Sequence, residues 1–301
     1  MTEPLRRGEG PWPSTNTESV VSAWLRGRMA QVEESERPAM VRWMLDHASG
    51  QPKGERLVHD FRWSESLLDR LAVWADRLNE GEPLQHVLGE AWFDGLRISV
   101  SPAVLIPRPE TEELVEALSN RLKSETSQPL HIVDWCTGSG CIALALKRRF
   151  PEATVSAWDL SSDAIDWARA NAVQNHLSVD FDVRDVLSAI PEDFVADAVV
   201  SNPPYIPESE APQLHPRVTR HEPAMALFVP SDDPLCFYRA LQQWCEQGGL
   251  RDGGWLAMEC HTKFASDMAG LLTSSGGWKN VEMLHDLQGL PRHVLAQRAL
   301  P

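Results

Sequence analysis

The sequence predicts an α/β protein in which a doubly wound parallel sheet, carried by residues 108–301, follows a small helical bundle. Two observations carry that prediction. From Glu110 onward, short apolar runs alternate with amphipathic segments of helical length, the pattern of a parallel sheet covered on both faces. Before that point, apolar residues recur at three-to-four spacing instead.

In the first segment the recurring positions are Val20, Val21, Trp24 and Leu25, then Met40, Val41, Met44 and Leu45, then Leu67, Leu68, Leu71 and Trp74. STNTES and SESLLDRL supply N-cap residues, and HASGQPKGE breaks two of the helices. Trp24, Trp43, Trp63 and Trp74 are assigned to the core of this bundle, which is set at residues 1–83. Residues 84–107 are expected to form a linking β-hairpin, because Asp94-Gly95 lies between short apolar runs and Pro102 and Pro107 keep the chain extended. In the last segment HIVDW, TVSAWDL, VDFDVRDV, DAVVSN and GGWLAMEC read as strands. TEELVEALSNRL, CIALALKRRF, SSDAIDWARANAVQN and DDPLCFYRALQQWCEQ read as the helices between them.

Of the 301 residues, 43% are hydrophobic, which suits a sizeable core. No apolar run approaches the roughly 18 residues of a membrane span, and no apolar stretch follows the arginines of MTEPLRRGEGPWPSTN, so neither membrane insertion nor a secretory signal is expected. The five cysteines, 136, 141, 236, 245 and 260, include no CxxC pair. They read as reduced thiols of a cytoplasmic protein with no metal site. The net charge is -15, and it is unevenly spread. Residues 1–80 hold 11 Lys/Arg against 13 Asp/Glu, whereas the remainder holds 17 against 30. That acidity argues against direct nucleic-acid binding, which needs clustered Lys and Arg. It suits a cationic ligand.

The first strand of the sheet runs into DWCTGSGCIALAL, residues 134–146. Cys136, Thr137, Gly138, Ser139 and Gly140 form a turn between strand and helix, where glycine lets the backbone approach a ligand and the helix start offers N–H groups. The next strand ends at Asp159, placed to accept hydrogen bonds from ribose hydroxyls, with Ser161 or Ser162 left to cap the following helix. The third strand ends in VRDV, which puts Asp185 within reach of an adenine amino group. Acids at successive strand ends, with no Arg cluster for a pyrophosphate, favour a cation such as the sulfonium of S-adenosylmethionine over a nicotinamide dinucleotide.

The fourth strand ends in Asn202, Pro203, Pro204 and Tyr205. The prolines have no N–H, so the backbone there offers only acceptors, and Asn202, preceding a proline, is held extended. The Asn202 side-chain oxygen and the Pro203 carbonyl can together accept both hydrogens of one planar NH₂ group, with Tyr205 against its flat face. Held so, a weakly nucleophilic amide nitrogen is oriented toward an electrophilic methyl group.

Taken together, GEPLQHVLGEAWFDG, VLIPRPETEELVEAL, DWCTGSGCIALAL, SNPPYIP, RHEPAMAL and DDPLCFYRAL resemble the release-factor glutamine methyltransferase family, over roughly residues 15–298. The resemblance implies a Rossmann-like, S-adenosylmethionine-dependent methyltransferase fold and methylation of the glutamine in the Gly-Gly-Gln loop of bacterial peptide chain release factors. So short a loop buries little area, and the bundle is expected to supply the second contact that recognises substrate. The resemblance implies a cofactor site on Cys136 to Gly140, Asp159, Asp185, Val186 and Asn202, and a glutamine clamp on Asn202, Pro203, Pro204 and Tyr205, with Asn202, Pro203 and Tyr205 catalytic. Three departures stand out. Cys136 replaces a glycine, Val186 replaces an aromatic residue, and MECHTKF replaces a Glu-Ile/Val-Gly ending, where His261 reads as a surface substitution. The alternatives are a glutamine methyltransferase of a ribosomal protein, an adenine or cytosine amino-methyltransferase, and a binding protein that kept the fold. The stretch Ile106 to Glu112, IPRPETE, and Phe237-Tyr238-Arg239 favour the release-factor enzymes over the ribosomal sibling, which resembles IPRSP there.

Overall fold

The computed structural model describes residues 8–123, 130–188 and 194–300, and the chain divides into two units between Gly89 and Glu90. In the first unit the helical spacing becomes α1 (Glu18–Arg28), α2 (Arg37–Ser49), α3 (Lys53–Val58), α4 (Glu65–Asn79) and α5 (Leu84–Leu88). Ser64 caps α4 by accepting the Leu67 N–H at 3.4 Å. Helices α2 and α5 stop at Gly50 and Gly89, whose left-handed backbone favours a residue without a Cβ. Val21, Leu25, Met44 and Leu71 are fully buried, and removing each from water stabilises the unit by about 1.5–3 kcal/mol.

Trp63 and Trp74 join this core, but Trp43 does not. Val41, Met44, Leu45 and Ala48 fill the inner face of α2, which leaves position 43 on its outer side, 39% exposed. Trp24 packs at the edge and donates its indole N–H to the Pro11 carbonyl at 2.7 Å. The unit also buries Arg56, whose guanidinium donates to Glu18 at 2.9 Å and to Asp46 at 2.6 Å. A buried charge persists there because it is paired on two sides.

The second unit opens with β1 (Glu90–Phe93) and β2 (Leu96–Ser99), paired antiparallel across Asp94 and Gly95. Both turn residues have positive φ, 48° and 72°, as a two-residue type I′ turn requires. The hairpin is there, but as part of this unit rather than a linker. Its alternation creates an apolar face of Ala91, Phe93, Leu96 and Ile98, and those residues enter the core. Residues 84–88 are helical and belong to the first unit.

The chain continues through α6 (Pro109–Lys123), β3 (His131–Trp135), α7 (Cys141–Arg149), β4 (Thr154–Asp159), α8 (Ser162–Gln174), β5 (Asp180–Val183) and β6 (Ala196–Ser201). Two short strands, β7 (Ile206–Pro207) and β8 (Phe228–Val229), flank α9 (Pro216–His221). Then come α10 (Cys236–Trp244), β9 (Leu250–Glu259), α11 (Ala265–Ser275), β10 (Trp278–His285) and β11 (Pro291–Arg298). Among the described residues, seven strands make one sheet in the order β10-β11-β9-β6-β3-β4-β5. Five of them, β5, β4, β3, β6 and β9, run parallel as predicted. Strand β11 is antiparallel to both its neighbours, a departure from the parallel sheet expected. The link between β10 and β11 is too short to cross over, so only antiparallel pairing is open to it.

Strand β3 lies between β4 and β6, so the chain's direction of travel across the sheet reverses there. The carboxyl ends of β3 and β6 flank the crevice in which sheets of this kind bind ligands.

Candidate active site

Beyond β3 the chain turns through Cys136, Thr137, Gly138, Ser139 and Gly140 into α7. Cys136, Gly138 and Gly140 have φ of 60°, 55° and 82°. At Gly140 a Cβ would lie 3.0 Å from that of Ala168 and 3.3 Å from its Cα, so close packing on α8 demands glycine. At Gly138 nothing stands within 4 Å of the same position, and the turn leaves open space above the start of α7. Cys136 holds the left-handed conformation with a Cβ, at a cost of about 1–2 kcal/mol, which explains why glycine suits this position. Its thiol is held well above the ordinary value, by burial first and by the Asp159 charge second, so it stays neutral and unreactive.

Asp159 fastens this turn to the end of β4. Its Oδ2 accepts the Gly138 N–H at 2.8 Å and its Oδ1 accepts the Ser161 N–H at 2.9 Å. The cap of α8 is Ser161, which accepts the Ala164 N–H at 3.2 Å. Burial pushes the Asp159 carboxyl above its usual range, while the two N–H groups pull it back. Deeper in, Asp134 accepts from the Thr137 hydroxyl at 2.6 Å and the Ala143 N–H at 3.2 Å through Oδ2, and its Oδ1 makes no hydrogen bond. Burial raises its pKa to about 7.

Asp185 and Val186 are engaged within the protein. The Asp185 oxygens accept from the Leu187 N–H at 2.9 Å and the Ser188 hydroxyl at 2.8 Å, capping their own turn. Val186 is buried in the cluster that holds Trp135 and Trp158.

Strand β6 ends at Ser201, whose hydroxyl donates to the Trp135 carbonyl at 2.7 Å and ties the two strand ends together. Of the next residues, Pro203 and Pro204 are buried, and Asn202 and Tyr205 half-buried. Asn202 Nδ2 donates to Thr111 Oγ1 at 3.1 Å. The Thr111 hydroxyl donates to Glu259 Oε2 at 2.6 Å, and the Tyr205 hydroxyl donates to Glu259 Oε1 at 3.1 Å. Burial pushes Glu259 upward, opposed by these two hydrogen bonds and by the Arg292 charge. Burial, and then the Glu259 charge, push the Tyr205 phenol far above its usual range, so it remains a neutral donor.

These groups face a cleft of about 310 Å³ with Arg108, Glu110, Asn202, Tyr205, Glu259 and Arg292 on its polar side and Leu105, Leu214, Val218 and Leu227 on its apolar side. Its rim is pinned in several places. Glu222 accepts from the Ile106 N–H at 3.1 Å and from Arg108 at 2.5 Å, and Asp286 accepts from Arg292 at 3.2 Å. His293 Nε2–H donates to the Glu110 carbonyl at 2.9 Å, and burial lowers its pKa to about 4, so the ring is neutral.

His261 is not the surface residue predicted. Its side chain is 13% exposed, with Nε2 3.2 Å from Glu210 and its ring 6.2 Å from that of Tyr205. It lies two residues beyond the end of β9, after the buried Cys260. Sequence reasoning missed Thr111, Glu222, Glu259 and Arg292 as site residues. The available signal was Glu259 itself, an acid at the end of the apolar run GGWLAMEC, where a charge demands a partner.

Among the described residues there is no cluster of three or more metal-ligating side chains, and no helix is long and apolar enough to cross a membrane. The PrmC N-terminal domain family matches residues 21–89, and the Methyltransferase small domain family matches residues 110–220. A release factor glutamine methyltransferase of Bacteroides thetaiotaomicron is 39% identical over 223 residues, 74% of this chain and 78% of that protein. One of Mycolicibacterium smegmatis is 40% identical over 259 residues, 84% of this chain and 87% of that protein. Among solved structures, the human methyltransferase 10 domain containing protein matches with a TM-score of 0.50 at 19% identity, covering 68% of this chain and 90% of that one, a likeness of fold. Identity at the level of the two bacterial relatives, across most of both chains and with the N-terminal unit matched as well, shows that this chain belongs to the release factor glutamine methyltransferase family.

Proposed function

We propose that this enzyme transfers a methyl group from S-adenosylmethionine to the side-chain amide nitrogen of the glutamine in the Gly-Gly-Gln motif of bacterial peptide chain release factors. The observation that carries the reading is Asn202, at the carboxyl end of β6, opening into a cleft and followed by two prolines that offer no N–H. A primary amide brings two N–H donors on one nitrogen. Asn202 Oδ1 and the Pro203 carbonyl accept them, and Tyr205 packs on the flat face of the group. Holding both N–H bonds aims the nitrogen lone pair and stabilises the positive charge that develops there. The alkylated nitrogen is strongly acidic and sheds its proton without a basic side chain.

The residues around the first turn fit the methyl donor. Gly138 leaves room beside the backbone, and Asp159 keeps lone pairs beyond its two N–H bonds for ribose hydroxyls. Asp159, whose oxygens accept two N–H groups, makes the crevice favourable for a cation. When bound, S-adenosylmethionine supplies an electrophilic methyl on a positively charged sulfur. Asp185 and Val186 back the adenine end by holding their turn and core, and the N-terminal unit recognises the body of the release factor. The reaction belongs to the cytoplasm, where release factors work.

The test is the mass of a release factor before and after incubation with enzyme and S-adenosylmethionine, with a variant lacking the motif glutamine as control. A ribosomal protein and single- and double-stranded nucleic acid run in parallel. Methyl incorporation into any of those, with the release factor untouched, refutes the reading.

A further inference from the structure

We infer that Thr111 and Glu259 are positioning residues that fix which end of the Asn202 side-chain amide faces the cleft, an inference that rests on the methyl-transfer reading above. The two ends of an asparagine amide are nearly the same size, so packing alone does not choose between them. Hydrogen bonding does. Thr111 has one hydroxyl proton, and an ionised carboxylate can only accept. With Oγ1 2.6 Å from Glu259 Oε2, that proton goes to the carboxylate. Only lone pairs then remain on Thr111 for Asn202 at 3.1 Å, and only the NH₂ end of the amide can donate to them. Asn202 Oδ1 is thereby turned the other way, toward the cleft that Asn202 lines, as an acceptor.

Two further features hold the chain of bonds in this sense. Tyr205 donates to the second oxygen of Glu259, so both carboxylate oxygens are engaged and both clamp side chains take their orientation from one acid. His293, directly across from Glu259 on the neighbouring strand, donates to the Glu110 carbonyl and steadies the first turn of α6, next to Thr111. Thr111 and Glu259 are 2% and 1% exposed, so solvent does not compete. The direction also matters chemically. Each bond polarises the next, from carboxylate to hydroxyl to amide, and leaves Oδ1 a stronger acceptor for a substrate N–H that gains positive charge during transfer. A reversed amide would oppose donors to donors.

The experiment compares Thr111→Val, which keeps the shape and removes the hydroxyl, with Thr111→Ser, which keeps the hydroxyl. Thr111→Val is expected to lower kcat on the order of tenfold to a hundredfold, the range for groups that orient a reacting residue, with KM for S-adenosylmethionine little changed, and to lower thermal stability because Glu259 Oε2 loses its buried donor. Thr111→Ser should recover most of the rate. Glu259→Gln should lose as much as Thr111→Val, because a carboxamide can donate to Thr111 and reverse the pattern. A second arm needs no turnover: with ¹⁵N-asparagine labelling, the Asn202 NH₂ protons should exchange slowly in the wild type and in Thr111→Ser, and fast in Thr111→Val. Wild-type kcat in Thr111→Val, equal losses in Thr111→Ser and Thr111→Val, or unchanged Asn202 exchange would each overturn the inference. A wild-type enzyme that failed to methylate release factors would instead sink the proposed function, and the exchange arm would still judge the orientation.

Discussion

Replacing Asp159 with alanine separates a ligand contact from a structural tie, because the carboxylate serves both. It accepts the Gly138 and Ser161 N–H groups at 2.8 and 2.9 Å, and in the proposed function its remaining lone pairs accept from ribose. A hydrogen bond to a charged group contributes about 1.5–3 kcal/mol. Losing the ribose contact should therefore raise the dissociation constant for S-adenosylmethionine by roughly one to two decades. The lost tie also costs stability, but Asp159 is half-buried, so water can replace part of it. A loss of about 1–2 kcal/mol would lower the melting temperature by only several degrees in a unit of this size. Asp159→Asn, which keeps one acceptor oxygen, should fall between wild type and alanine in both measurements. Calorimetric titration with S-adenosylmethionine, alongside scanning calorimetry of the free protein, reads the two effects separately. Unchanged affinity in Asp159→Ala would refute the ribose assignment, whatever the melting temperature did.

Asn202→Ala should reduce methyl transfer on the order of a hundredfold at saturating substrate, while calorimetry shows S-adenosylmethionine binding nearly intact; near-normal turnover would return the two prolines to the role of a strand terminator. The Asp134 carboxyl, with a folded pKa of about 7 against about 4 in the unfolded chain, keeps a proton in the native state that the unfolded chain releases. Stability should therefore fall as pH rises through that window, and denaturant titrations should show the slope flattened in Asp134→Asn. A fragment of residues 90–301 should keep S-adenosylmethionine binding but show a strongly raised KM for intact release factor, and a folded fragment as efficient as the whole chain would dismiss the N-terminal unit as a recognition module.

Much of the fold was legible because its signals are local. HIVDW becomes β3 residue for residue, and CIALALKRRF becomes α7 short of its last position. Asp94-Gly95 makes its hairpin because both residues tolerate positive φ. What failed was tertiary. Whether a tryptophan on a bundle helix is buried depends on which face meets a neighbour, and Trp43 lies on the wrong side of α2 for the core. The antiparallel β11 and the hairpin's place in the second unit likewise depend on what is available to pair with or to pack against. Arg56 shows the same limit from the polar side, since its burial is set by Glu18 and Asp46, one from each of two other helices.

The site divides along the same line. Two consecutive prolines dictate the backbone of the proposed clamp from sequence alone, because each fixes its own φ and removes its own donor. They say nothing about the side chain of Asn202, whose terminal torsion is soft and two-fold. That torsion is settled by Thr111, 91 residues earlier and on helix α6, and by Glu259 at the end of another strand. No spacing rule connects the three positions. The physical trace of the connection is in the residue types: a hydroxyl in the first turn of α6 and an acid closing an apolar strand are both out of place unless each has a partner. Asking where those two polar groups could be satisfied, before asking what the clamp binds, is the step by which a sequence reading would have reached them.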